Sequence, residues 1–266
     1  MEHVPPTYDL ELKLAEFKIN GYVLFEELLP VEKVDRMHEA FKPLLETVKA
    51  RQSSTRTGDI STGRGRQNHP NRYTVEIPWR LPFADPEIYE NPILLDFLGR
   101  YWASDDFVVT CYSSNTPYPN STYQDWHLDA GITRAMPHVS LQTCPHFGIK
   151  FPLVDTFEEN GSFEVLPCTQ YMADPQLVPH YNAILEKGHF PTKHRLNMKR
   201  GTLWIQDPRA LHRGTPNRSD HARPEVVICY SRSWWANYNH VEMTQADFDA
   251  LSPRSQKLLQ RSHIVG

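Results

Sequence analysis

Glycine is scarce in this 266-residue chain, 12 residues against 22 prolines, whereas average usage is about 7% glycine and about 5% proline. That scarcity argues against the phosphate cradles built from glycine-rich loops. The one GxG, Gly63-Arg64-Gly65, has Asn68 where a dinucleotide fingerprint needs its third glycine, and no GK[ST] sequence occurs. An excess of one charge is missing too. The 28 basic residues meet 32 acidic ones, a formal charge of −4, so there is no electrostatic footprint for nucleic acid. No apolar run approaches the roughly 18 residues of a membrane span. The four cysteines, Cys111, Cys144, Cys168 and Cys229, form no CxxC pair, and the N-terminus lacks the basic-then-apolar order of an export signal. A cytoplasmic protein with reduced thiols, partnered by neither nucleic acid nor membrane, is the expectation.

What is present suffices for a core. The length suits one barrel- or sandwich-type domain. Leu10, Leu14 and Phe17 share a helical face before the break at Asn20-Gly21, and Tyr22–Leu29 reads as a short strand. Val34, Met37, Phe41, Leu44, Leu45 and Val48 repeat at three- and four-residue intervals, with Pro43 inside the pattern as an expected kink. Residues 51–73 are polar and arginine-rich, and read as a solvated loop or a substrate-facing lid. Arg64, Arg66 and Arg72 there could meet an anionic substrate group, although solvation is the preferred reading. Asn91 and Pro92 then signal a helix start.

From about residue 106 the texture changes to short β-branched and aromatic runs at 107–113, 147–155, 162–167, 201–207 and 225–235. Asn160-Gly161, between two of them, is a hairpin-turn signal. Thr244-x-x-Asp247 opens a C-terminal helical stretch, and Pro253 begins a last turn or two. Helices before and after many short strands, without βαβ alternation, predict an antiparallel barrel or sandwich in a helical shell. Seventeen of the prolines fall between Pro70 and Pro224, which predicts stiff loops and the least regular structure at 114–146 and 168–200.

Thirteen histidines invite a search for ligand spacing. Two have a carboxylate two residues on: His127-Leu128-Asp129 and His240-Val241-Glu242. On an extended strand, i and i+2 share a face, so each pair could present an imidazole and a carboxylate together. Only the first has a later histidine and arginine to complete a set: His212 in GTLWIQDPRALHRGTPNRS, and Arg223 eleven residues on. Two histidines and a carboxylate form a facial triad that leaves open positions on iron(II) and suits an oxygenase. An arginine one strand away can clamp a dicarboxylate. By strand parity Arg223 shares a face with Val227 and Cys229, while Arg218 and Arg232 lie elsewhere. His240 and Glu242 are assigned to the surface. Trp126, Trp204, Trp234 and Trp235 read as core or pocket wall, and His138, His146, His180, His189 and His194 show no ligand spacing.

This arrangement resembles the phytanoyl-CoA dioxygenase family of Fe(II)/2-oxoglutarate oxygenases. EFKINGYVLFEELLPVEKVDRM is similar to the family's opening helix-strand-helix, PLVDTFEENGSFEVLPCTQY to its hairpin after the HxD, and GTLWIQDPRALHRGTPNRSDHARPEVVICYSRSWW to its distal-histidine block. The resemblance implies a mainly β fold with flanking helices around a double-stranded β-helix (jelly-roll, cupin-like) core. A helical shell at 1–103, a core at about 104–238 and C-terminal helices at 244–262 would make one domain. It implies His127, Asp129 and His212 as iron and catalytic ligands, and Arg223 as partner of the distal carboxylate of 2-oxoglutarate. Gln124, three before the first ligand, matches a polar cosubstrate contact of some members. It implies Fe(II), 2-oxoglutarate and O2 as requirements, a small-molecule substrate, and release of succinate and CO2. Hydroxylation is the default outcome, with desaturation, epoxidation or ring formation as alternatives. Halogenating relatives have a small residue in place of Asp129, so its presence points to oxygenation. One departure is Gly214, two after the distal histidine, where relatives often carry a small hydroxyl. A catalytically silent jelly-roll binding domain, or a cupin-type metalloenzyme independent of 2-oxoglutarate, are the competing readings.

Overall fold

The computed structural model describes residues 3–129, 143–172, 180–187, 192–235 and 240–266. Asp9 caps α1 (Leu10–Asn20) by accepting from the amides of Glu11 and Leu12. Gly21 ends the helix at φ +77°, a left-handed conformation in which any Cβ would also strike the Gln170 side chain. β1 (Tyr22–Phe25) follows, then α2 (Val31–Arg51), which buries the whole predicted apolar face from Val34 to Val48. The helix runs on through Pro43, because buried side chains on both sides offset the one backbone bond that proline cannot make. α3 (Pro86–Tyr89) precedes α4 (Pro92–Trp102), where Asn91 accepts from the amides of Ile93 and Leu94.

The polar stretch 51–73 is only partly a loop. β2 (Gly65–His69) pairs with β3 (Arg72–Glu76), and β3 lies against β4 (Phe107–Pro117). An edge strand such as β2 needs little apolar alternation, and β3 is secured by Tyr73 and Val75, both buried in the helix-side core. β4 also extends four residues beyond its predicted end. β5 (His146–Pro152), β6 (Phe163–Val165), α5 (Tyr181–Glu186), β7 (His194–Leu196), β8 (Leu203–Gln206), β9 (His212–Arg213) and β10 (Glu225–Arg232) complete the core. Part of each stretch expected to be least regular, around 130–142, 173–179 and 188–191, lies outside the described residues.

Seven strands form an antiparallel sheet in the order β1-β8-β5-β10-β4-β3-β2, and three form a second, β7-β6-β9. Three of the seven come from the first 103 residues, the stretch expected to be helical shell. Asn160-Gly161 does make a turn, with Gly161 at φ +85°, but β5 and β6 belong to different sheets. The turn therefore carries the chain from one sheet to the other instead of closing a hairpin. One face of the large sheet packs on α1, α2 and α4 through Phe17, Val34, Phe97, Phe147, Ile149, Val226 and Ile228. The other looks toward the small sheet, and Trp204 meets Phe163 across the gap with ring centroids 5.0 Å apart. The result is a mainly antiparallel β fold with flanking helices, the jelly-roll type expected. At the C-terminus, β11 (Glu242–Thr244) pairs in parallel with β12 (His263–Val265) around α6 (Gln245–Asp249) and α7 (Pro253–Leu258), an unpredicted addition. The Thr244–Asp247 capping box forms as predicted. No helix among the described residues is long and apolar enough to cross a membrane.

Candidate metal centre and cosubstrate wall

His212 opens β9, and His127 lies opposite it on an otherwise irregular segment. Each donates its amide N–H to the other's carbonyl at 3.1 Å, so the imidazoles rise side by side with centroids 4.3 Å apart. The His127 segment is held from several directions. Asn182 of α5 accepts from the Trp126 amide at 3.0 Å, and the Arg213 guanidinium lies over both the Tyr123 and Trp126 rings. The Asp129 amide donates to the Pro208 carbonyl at 2.9 Å. One ligand atom from each of His127, Asp129 and His212 lies within 4.8 Å of the others, a group that could hold a metal ion.

Backbone carbonyls settle how the imidazoles present themselves. His127 Nδ1 is 2.7 Å from Asp125 O, and His212 Nδ1 is 2.8 Å from Ala210 O. A carbonyl can only accept, so each Nδ1 carries the proton and each Nε2 keeps its lone pair for a metal. Burial, and then the neighbouring His212, push the His127 pKa down to about 4, which leaves it neutral near pH 7. Loss of water works against the Asp129 carboxylate, but positive charge nearby, from His212 at 3.5 Å when that ring is protonated and then from Lys150, holds the carboxyl well below the usual range. Two imidazoles and one carboxylate on one side are the donor set that iron(II) accepts.

Strand register carries the site onto the large sheet. Glu225, Val227 and Cys229 of β10 align with Asn115, Ser113 and Cys111 of β4 and with Pro152, Lys150 and Gly148 of β5. Trp204 and Gln206 of β8, and Arg72 and Thr74 of β3, continue the same face. This inner wall is polar. Arg223, just before β10, is 2% exposed, yet its Nε and Nη1 have no hydrogen-bond partner among the described residues. Its nearest acid is Glu225, with Nη1 and Oε2 3.6 Å apart, and Glu225 in turn accepts from Trp204 Nε1 at 3.0 Å. Burial lowers the Arg223 pKa.

A sequence profile of the phytanoyl-CoA dioxygenase (PhyH) family matches residues 17–224, a span holding the triad and Arg223. The chain belongs to the phytanoyl-CoA dioxygenase family. Three solved structures are similar at low identity, which speaks to the fold. AviO1 from Streptomyces viridochromogenes Tue57 has a TM-score of 0.62 and 17% identity over 87% of this chain and 99% of its own. SnoN, a non-heme alpha-ketoglutarate-dependent epimerase from nogalamycin biosynthesis, has 0.60 and 18% over 84% and 80%. HygX from Streptomyces hygroscopicus, solved with nickel and 2-oxoglutarate bound, has 0.57 and 16% over 98% and 96%. This member of the phytanoyl-CoA dioxygenase family is an Fe(II)/2-oxoglutarate-dependent oxidoreductase, and His127, Asp129 and His212 could bind its iron.

The other residues singled out from the sequence sort clearly. Gln124 is 8% exposed beside Gly214, whose amide donates to its Oε1 at 2.9 Å, so any cosubstrate contact falls to its amide nitrogen. Arg218 is exposed, and Arg232 points to Trp102 O and Asp106. His240 is exposed, while Glu242 pairs with Arg64 at 2.9 Å. Trp234 is 56% exposed, not core. His138 and His189 lie outside the described residues. Arg64 is held by Glu76 and Glu242, and Arg66 is exposed. Arg72, expected to be solvated with them, is 0% exposed.

The residues missed are those on the inner wall. Lys150 donates to Gln206 Oε1 and sits 4.7 Å and 4.8 Å from the Phe163 and Trp204 ring centroids. Asn115 Oδ1 and Gln206 Nε2 are buried without partners. Parity along each strand was readable, but which strands pair was not. A separate groove of about 1040 Å³ between α2 and the 153–160 and 218–224 segments contains none of the triad. Two of its cations are paired, Arg200 with Asp35 at 2.8 Å and Lys42 with Glu39.

Proposed function

We propose that this family member hydroxylates an unactivated C–H bond of a small-molecule metabolite, with conversion of 2-oxoglutarate to succinate and CO2. The reading treats residues 1–266 as one catalytic domain. His127, Asp129 and His212 hold Fe(II), Arg223 pairs with the distal carboxylate of 2-oxoglutarate, and the Gln124 amide is a neighbouring contact. The observation that carries it is Arg223: a guanidinium buried on the inner wall whose Nε and Nη1 make no hydrogen bond among the described residues, with only Glu225 3.6 Å away, is suited to a bound carboxylate. Iron(II) held by these three residues would leave places for a chelating 2-oxo acid and for O2, and would activate O2, which is the oxidant.

The chain's own residues orient and exclude. Asp125 O and Ala210 O fix the two imidazole planes. Phe163 stacks on His212 at 5.3 Å and shields it from water. The dry surroundings of Arg223 strengthen its attraction for a carboxylate relative to bulk solvent. One specific observation favours a second reading: SnoN, of the same fold, is an epimerase, so an oxidative outcome other than hydroxylation remains the alternative, decided by where the substrate C–H bond sits.

The test is anaerobic addition of Fe(II) and 2-oxoglutarate, which should produce a weak visible charge-transfer band. Absence of the band in the wild type, or an undiminished one in Arg223→Ala at limiting 2-oxoglutarate, would overturn the assignment. Succinate release during a screen of candidate metabolites, with mass spectrometry of products, separates a gain of oxygen from epimerisation or loss of hydrogen.

A further inference from the structure

The unpartnered polar atoms of the inner wall include a second arginine. Arg72 Nη2 donates to Thr215 O at 2.9 Å and Thr122 O at 3.3 Å, but Nε and Nη1 find no partner among the described residues, in a residue that is 0% exposed. No carboxylate among the described residues comes within ion-pairing distance of it. Arg72 and Arg223 also flank the same residue. Arg72 is the register partner of Pro117 on one side, and the Arg223 amide donates to Pro117 O at 3.0 Å on the other. With strands about 4.8 Å apart, their Cα atoms stand about 10 Å apart on one wall, and both side chains are long enough to converge.

Gly214 adds an independent observation. A Cβ built there would lie 2.6 Å from Arg72 Nη1, and it would also strike the Gln124 side chain. The Arg72 guanidinium thus fills the space of the small hydroxyl that relatives often carry two residues after the distal histidine. Charge leads to the same conclusion. Burial, and then the charge of Arg223, push the Arg72 pKa down to about 9, and Glu225 partly opposes this. Two buried guanidinium groups face the single carboxylate of Glu225, and Lys150 adds a further positive charge to the same wall, so the wall favours a bound carboxylate.

We propose that Arg72 is a second cosubstrate-binding residue, forming with Arg223 a two-arginine clamp on the distal carboxylate of 2-oxoglutarate in the space left by Gly214. The proposal rests on the reading of Arg223 given above. Its donors, Nε and Nη1, approach the carboxylate from the β3 side, while Arg223 approaches from β10.

Binding is measured by calorimetry on protein loaded with Ni(II), so that no turnover occurs, using 2-oxoglutarate and, as a probe without the distal carboxylate, pyruvate. Arg72→Ala should weaken 2-oxoglutarate about 10- to 100-fold, the loss expected of charge-assisted hydrogen bonds, and leave pyruvate within about twofold. Arg72→Ala/Gly214→Ser, which returns a hydroxyl to the vacated space, should recover part of that loss. An Arg72→Ala protein that binds 2-oxoglutarate like the wild type, or weakens both ligands equally, overturns the proposal. If Arg223→Ala leaves 2-oxoglutarate binding unchanged, the underlying reading fails instead. Should Arg72→Ala not fold, the crystal structure of the wild type with Ni(II) and 2-oxoglutarate decides. Arg72 Nε or Nη1 within hydrogen-bonding distance of the distal carboxylate supports the clamp, and neither within reach overturns it.

Discussion

On the helix side of β10, Val226, Ile228 and Tyr230 are at most 1% exposed, and most polar groups around them find partners within the protein, Arg232 Nε being an exception. Tyr230 donates to Tyr89 O, Tyr112 to Phe83 O, and Trp102 Nε1 to Cys144 O. On the other side of the same sheet, equally buried Arg223, Arg72 and Gln206 keep atoms with no partner. Burial is the same and satisfaction is not. A sheet face that completes its own hydrogen bonds is a core, and one that leaves donors bare in a dry place is shaped around a missing polar ligand.

The comparison breaks most completely at the triad. His212→Ala should abolish stoichiometric metal binding and drop turnover to background while far-UV circular dichroism stays native, as metal titration and dichroism would show. On the helix side the effects should exchange. Phe147 stacks on Trp102 at 5.0 Å and meets Phe17 and Tyr101 edge-on, so Phe147→Ala should cost about 3–5 kcal/mol by chemical denaturation. Whatever fraction remains folded should bind 2-oxoglutarate normally.

Glu225→Gln sharpens the contrast with a smaller effect. The amide keeps a bond to Trp204 but removes the one acid beside Arg223, so the free protein should lose about 1–3 kcal/mol while 2-oxoglutarate binds more tightly. Denaturation with and without the ligand would show the two changes with opposite signs. His146 lies on the inner wall with Nδ1 2.7 Å from Ser231 Oγ, and burial lowers its pKa to about 4. The unfolded chain takes up that proton near pH 6.5 and the folded one resists it. This contribution to stability is therefore complete above pH 6.5 and is lost as pH falls toward 4. Its slope is at most about 1.4 kcal/mol per pH unit, and His146→Gln should flatten the curve in that window. Far from both faces, Thr244→Ala should remove the capping box at a cost of about 1 kcal/mol, with no change in ligand binding.

Legibility followed distance along the chain. The α2 face, the Asn91 and Thr244 caps and the HxD pair each depend on residues within a few positions of one another, and the fold keeps those local relations. Arg223 was distinguishable from Arg232 because strand parity is also local. The β2–β3 hairpin was hidden since a polar edge strand shows no alternation, and Asn160-Gly161 misled because a favourable turn conformation says nothing about which strands it joins. Arg72 was the least legible. Its surroundings depend on β3 pairing with β4 and β4 with β10, relations that no single stretch of sequence contains.

The close fit of Gly214 against Arg72 also constrains descent. A hydroxyl side chain introduced at 214 meets the Arg72 guanidinium and the Gln124 amide, so those side-chain ends must move aside or residue 72 must become smaller. A smaller residue at 72 alone leaves the space empty. Two codons far apart in the sequence are therefore coupled when a lineage passes between the arginine and hydroxyl arrangements. Surveying which pairs of residues occur together at these two positions would show how often that narrow passage has been taken.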